Sequence, residues 1–167
     1  MLYYLRKKGL HAVVLEAGDD VGGTWYWNRY PGARCDVESM AYSYSFDEDL
    51  QQEWNWSNKF SYQPEILAYL QAVVDRFDLK RDIVFNARVV SAEYDEIVDS
   101  WRVQTDAGAT YSAQFCVMAT GCLSIPKIPK IDRLKKFGGE TFYTSNWPKE
   151  GVDLTEKKVG VIGTGSS

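Results

Sequence analysis

The 167-residue chain holds a single histidine and only three cysteines, and both scarcities exclude chemistry. Cys35, Cys116 and Cys122 are odd in number and contain no CxxC pair, and His11 sits beside an apolar run, so neither a disulfide scaffold nor a zinc site is expected. No apolar stretch approaches the roughly 20 residues of a membrane span. Residues 1–8 also lack the charged-then-apolar order and the small-residue cleavage site of a signal peptide. There is no excess of positive charge either: 19 Lys and Arg face 23 Asp and Glu, a net charge of -4, which argues against nucleic acid or an anionic membrane as partner. Repeats and low-complexity segments are missing too. The expected setting is cytoplasmic.

What is present is a globular composition, 45% hydrophobic and 25% charged. That suits one domain with a real core and is short for a multi-domain enzyme. Residues 2–8 have the pattern of the last turns of a helix, closed by Lys7 and Lys8 against the dipole and by Gly9. Residues 11–16 form a short, nearly continuous apolar run ending in Glu16, the pattern of a buried parallel strand whose carboxyl end faces a ligand. Helix, strand and terminal acid make the second half of a nucleotide-binding βαβ unit, whose acid takes a ribose hydroxyl about 20 residues after a GxGxxG turn. That first half is expected to lie before Met1.

Further along, Pro64 and Glu65 open a predicted helix with Ile66, Leu67, Leu70, Val73, Val74 and Phe77 on its core face. Residues 88–94, 100–105 and 110–113 alternate in polarity around turn signals at 99–100 and 106–108, which predicts an antiparallel meander. Residues 114–119 and 157–162 read as further buried parallel strands. The second runs into Gly163, Thr164, Gly165, Ser166 and Ser167, the opening of a second dinucleotide turn.

The densest run is residues 22–36. Gly22 and Gly23 allow close backbone approach to a ligand, Trp25, Tyr26 and Trp27 offer flat surfaces to a ring system, and the Pro31-Gly32 turn delivers Arg34 and Asp36 together.

With these placed, the chain resembles the Baeyer-Villiger monooxygenases, flavoenzymes of the phenylacetone and cyclohexanone monooxygenase type. Residues 22–36 match the family pattern GGxWxxxxYPGxxxD without departure. Residues 137–148 match FxGxxxHxxxWP at every fixed position but one, where Tyr143 replaces histidine, and Gly163 to Ser167 match the start of the NADP-binding turn. The resemblance implies an α/β fold: an FAD/NAD(P)-binding doubly wound parallel sheet with a small antiparallel β-meander, truncated at both ends. Residues 1–124 would be the FAD-binding domain, 125–156 a linker and 157–167 the start of the NADP-binding domain. It further implies FAD and NADPH as cofactors, and a ketone and O2 as substrates, one oxygen being inserted beside the carbonyl through a C4a-peroxyflavin to give an ester or lactone.

By position, the resemblance assigns Glu16 to the FAD ribose and Thr24, Trp25, Tyr26 and Trp27 to the flavin. Asp36, Tyr42 and Val89 complete the FAD contacts, and Arg34, Cys35 and Asp36 also face NADP. Asp36 is the mechanistic candidate, beside a catalytic arginine expected outside these residues. Duller roles stand beside these: Glu16 as a solvated strand end, Asp36 as a turn cap or partner of Arg34, Tyr42 as core, and Cys35 as a small packed residue. Tyr143 and Trp147 are expected to organise the linker, with coupling between the domains weakened by the missing histidine. Two other readings remain: a remnant or nucleotide-binding piece without catalysis, and an N- or S-oxygenating flavin monooxygenase. The chain by itself is expected to bind FAD poorly and to have no oxygenase turnover.

Overall fold

A computed structural model describes residues 1–163, which form two compact units. The first comprises residues 1–21 and 70–120, the second residues 22–69 and 121 onward.

The first unit begins with α1 (Leu2–Lys7), whose end is a reciprocal turn: Gly9 N–H donates to the Arg6 carbonyl at 2.9 Å and Leu10 N–H to the Leu5 carbonyl at 3.0 Å. Gly9 can close it because its φ is +71°. Arg6 anchors the helix. Its guanidinium donates to Asp82 Oδ2 (3.0 and 2.5 Å) and to the carbonyls of Phe77 (2.8 Å) and Asp78 (3.0 Å), while Tyr3 meets Phe77 edge-on.

The strand expected at residues 11–16 is shorter: β1 (Val14–Leu15) pairs in parallel with β2 (Ile83–Val84). Hydrogen bonds carry the pairing further than the two-residue strand, from Glu16 N–H to Val84 O (2.9 Å), Ala87 N–H to Glu16 O (2.8 Å) and Asn86 N–H to Gly18 O (2.9 Å). The meander forms as predicted. Its strands β3 (Val89–Asp95), β4 (Ser100–Thr105) and β5 (Thr110–Ala113) lie in order, with a bulge near Val89 and the turns eased by Asp99 (φ +52°) and Gly108 (φ +83°). Val103 and Thr105 are its buried residues on β4.

Two predicted strands do not form. Residues 114–119 and 157–162 make no ladder, and Phe115, Val117, Met118, Val159, Val161 and Ile162 are all exposed. A buried parallel strand needs a neighbour for its backbone and a cover for its side chains, and none of the described residues supplies either.

The second unit holds α2 (Thr24–Trp27), α3 (Ser39–Tyr42), α4 (Glu48–Glu53) and the first half of α5 (Gln63–Arg76). Asp47 caps α4, its Oδ1 accepting from Leu50 N–H at 2.7 Å. Helix α5 opens one residue before the expected Pro64, because Gln63 joins it while its side-chain amide donates to the Trp25 carbonyl. Its core stripe runs through Ile66 and Val73 as predicted, but also through Tyr69, which the apolar pattern passed over. Tyr69 is the hub of an aromatic cluster with Tyr44, Trp54 and Trp56, and its hydroxyl accepts from Tyr44 N–H at 2.7 Å. Burial pushes the Tyr69 hydroxyl above its ordinary pKa.

Candidate functional site

The chain around residues 33–35 runs antiparallel to residues 61–63, and that pairing sets the backbone of the motif. Cys35 N–H donates to Ser61 O at 3.0 Å and Gln63 N–H to Ala33 O at 2.8 Å. Beneath it, the buried hydroxyls of Ser39 and Ser61 lie 2.7 Å apart, and Ser39 also donates to the Asn58 carbonyl. These hydrogen bonds hold the backbone from which the outward residues project.

On this frame the predicted residues take different stations. Trp25 and Tyr26 are buried, while Trp27 is 37% exposed and edge-on to Tyr26. Two of the three flat rings are therefore spent on packing. The Trp25 indole N–H donates to the Tyr42 hydroxyl, and burial raises the Tyr42 pKa although that donor opposes the shift. Thr24 is exposed, and its carbonyl closes α2 through Asn28 N–H (2.9 Å). Gly22 suits the protein itself: its φ is +127°, and a Cβ there would stand 2.4 Å from Leu67 Cδ1 and 3.2 Å from the Tyr26 backbone nitrogen, whereas one at Gly23 would meet nothing within 4 Å.

Arg34 is exposed, with its guanidinium 4.0 Å above the centroid of the Tyr62 ring, and makes no ion pair with Asp36 among the described residues. Asp36 is an exposed carboxylate with no hydrogen-bond or ionic partner among those residues. Cys35 is buried, and its Sγ accepts from Val37 N–H at 3.4 Å. Gly163 is exposed at φ +125°, and Thr164, Gly165, Ser166 and Ser167 lie outside the described residues.

Glu16 and Val89 belong to the first unit. Glu16 is half-buried just past the end of β1, and its Oε1 accepts from Gly18 N–H at 2.7 Å. One carboxylate oxygen is fixed by backbone, which orients the other as a hydrogen-bond acceptor. Val89 is exposed at the bulged start of β3.

The second sequence motif lies in the second unit, with Phe137 exposed and Phe142, Tyr143 and Trp147 half-buried. A Cβ at Gly139 would fall 2.8 Å from the Phe137 ring as it stands. Trp147 meets Phe142 at 5.5 Å between ring centroids, and its buried indole N–H has no hydrogen-bond partner among the described residues. Tyr143 precedes the turn Thr144–Asn146, with its carbonyl accepting from Asn146 N–H at 3.0 Å. Between this segment and α2 lies a cleft of about 350 Å³ lined by Tyr26, Trp27, Arg29, Asn146, Trp147 and Lys149.

Arg29 and Lys149 were not among the residues singled out from the sequence. Arg29 lies beyond the end of α2, so helix-face spacing does not single it out. Lys149 carried no signal beyond standing next to Trp147 and Pro148.

The pyridine nucleotide-disulphide oxidoreductase family matches residues 1–167. Acetone monooxygenase (methyl acetate-forming) of Gordonia sp. (strain TY-5) is 45% identical over 166 residues, covering 99% of this chain and 31% of that protein. Phenazine N-monooxygenase PhzNO1 of Lysobacter antibioticus is 46% identical over 168 residues, covering 100% and 31%. The solved structure of cyclohexanone monooxygenase from Rhodococcus sp. Phi1 bound to NADP+ agrees at a TM-score of 0.91 and 49% identity, over 98% of this chain and 31% of that one. The chain thus spans 31% of the length of each of these relatives. The expected α/β class and the likeness to cyclohexanone monooxygenase read from the two motifs both agree with these matches.

Proposed function

The chain belongs to the pyridine nucleotide-disulphide oxidoreductase family, and from that premise we propose that it is the flavin-binding part of an FAD- and NADPH-dependent Baeyer-Villiger monooxygenase. The reaction is ketone, O2, NADPH and a proton to ester or lactone, NADP+ and water. The observation that carries this reading is the fit to the NADP+-bound cyclohexanone monooxygenase over nearly the whole chain, at an identity far above fold-level likeness.

The residues present suit FAD at its ribose end. Glu16 stands where a parallel strand ends, with one oxygen held by Gly18 N–H and the other able to accept from a ribose hydroxyl. Bound flavin, reduced by NADPH, would supply the activation of O2. Trp27 presents an exposed aromatic edge, and the buried Trp25 and Tyr26 fix the backbone that carries it. Arg34 and Asp36 present a cation and an anion on the solvent side of that frame, where they could meet NADP; the role of Asp36 is to hold a negative charge near a cationic group outside these residues. Residues 1–124 would serve FAD, 125–156 would link, and 157 onward would begin the nicotinamide half.

The 46% identity to a phenazine N-monooxygenase favours a second reading, oxygenation at nitrogen. Incubating the complete enzyme with FAD, NADPH and 18O2, with cyclohexanone in one vessel and phenazine in another, separates them. A lactone carrying one 18O supports the proposal. An N-oxide without lactone or ester from any ketone offered transfers the assignment to the second reading.

A further inference from the structure

The two sequence motifs meet at one aromatic ring. Lys149 Nζ donates to the Tyr26 hydroxyl at 2.9 Å, a bond between residues 123 apart in the chain, and the same ammonium stands 5.1 Å from the centre of the Tyr26 ring. Arg29 holds the helix side of that residue: its guanidinium is 4.9 Å from the ring centre, and its Nε donates to the Tyr26 carbonyl at 2.9 Å. Tyr26 is buried, so its ring cannot move to follow a departing cation, whereas Lys149 lies on an exposed stretch without helix or strand. The fixed partner is the ring and the adjustable one is the segment that carries Lys149.

We propose that Lys149 is a positioning residue: its contact with Tyr26 latches residues 143–150, and with them Trp147, onto α2. This rests on the monooxygenase reading only for its functional meaning, because there the latched segment would join the flavin part to the nicotinamide part. The physical basis is independent of it. A charge-assisted hydrogen bond from an ammonium to a buried hydroxyl shifts a docked-to-open equilibrium by roughly tenfold. Within the stretch itself, Trp147 packs on Phe142.

Amide hydrogen exchange reads the latch directly. Two amides report on the segment: Asn146 N–H, bonded to Tyr143 O at 3.0 Å, and Gly151 N–H, bonded to Pro148 O at 3.0 Å. In Lys149→Met, which keeps the stem and removes the charge, both should exchange about tenfold faster. Tyr26→Phe keeps the buried ring and loses the accepting oxygen, so it should approach Lys149→Met. Lys149→Arg should restore most of the protection, because a guanidinium can donate to the same hydroxyl. Unchanged exchange in Lys149→Met, or acceleration that Lys149→Arg does not repair, overturns the proposal. In the FAD- and NADPH-loaded enzyme, Lys149→Met should consume several-fold more NADPH per product formed, with a ratio equal to wild type counting against the functional half. Absence of any oxygenase product from the unmodified enzyme would instead sink the monooxygenase reading and leave the exchange result standing.

Discussion

The meander of residues 89–113 and the apolar run that follows it at 114–119 have equally strong strand patterns and opposite fates. In the meander every strand finds its neighbour a few residues away, across turns that Asp99 and Gly108 make possible, and β4 buries Val103. The run at 114–119 contains Phe115, Val117 and Met118 and leaves all three exposed. Composition is therefore not what makes a strand here; a partner within reach is.

Matched substitutions put a scale on that difference. Val103→Asp would bury an unpaired carboxylate in the meander and should cost about 3–5 kcal/mol in urea unfolding. An effect below about 1 kcal/mol would mean that the meander is not packed as described. Next in size is Gly22→Ala, expected to cost about 1–3 kcal/mol, since its Cβ would strike Leu67 at a φ of +127°. Gly23→Ala should cost less, because only its φ of +49° opposes a side chain. Comparable losses for the pair would show that backbone conformation, and not contact with Leu67, decides at Gly22. Gly108→Ala, which meets nothing within 4 Å but sits at φ +83°, should cost about 1 kcal/mol and slow formation of the β4–β5 hairpin.

A gentler probe is alkali. The Tyr69 hydroxyl has a folded pKa raised above its ordinary 10.0, chiefly by burial, so the folded protein resists losing that proton while the unfolded chain does not. Its contribution to stability is complete below pH 10 and falls away as pH climbs through the interval up to the raised folded value. Tyr69→Phe should flatten the alkaline limb of the stability curve, and an unchanged slope would place the titrating group elsewhere. The smallest effect belongs to Val117→Asp: in an exposed, unpaired run it should change stability by no more than about 0.5 kcal/mol, against the severe loss at Val103.

Features made by neighbours in sequence were readable in advance. The end of α1 at Gly9, the face of α5 and the three meander strands depend on periodicity, caps and turn residues, and each lies within about a residue of its expected position. Features made at long range were not. Whether residues 114–119 or 157–162 become strands is decided by chain that must lie alongside them, and the apolar pattern cannot report its presence. Tyr69 was passed over because a hydroxyl lowers its apparent hydrophobicity, although Tyr44 N–H satisfies it.

The same limit applied at the site. The run 22–36 was visible as unusual, yet that Gly22 and not Gly23 lies against Leu67 depends on a helix forty residues later. Lys149 was invisible because its partner is a single buried ring on another segment. The place of Glu16 at the end of its strand, in contrast, was legible, because an acid held by its own turn is a local construction.

The Arg6 anchor bears on the order of events during folding. Arg6 and Asp82 are separated by 76 positions, and Phe77 and Asp78 are almost as distant. Closing so long a loop is entropically costly before α5 and β2 exist to receive it. Helix α1 is thus among the last elements to dock, and replacing Arg6 with Met should hasten unfolding while leaving the refolding rate nearly unchanged.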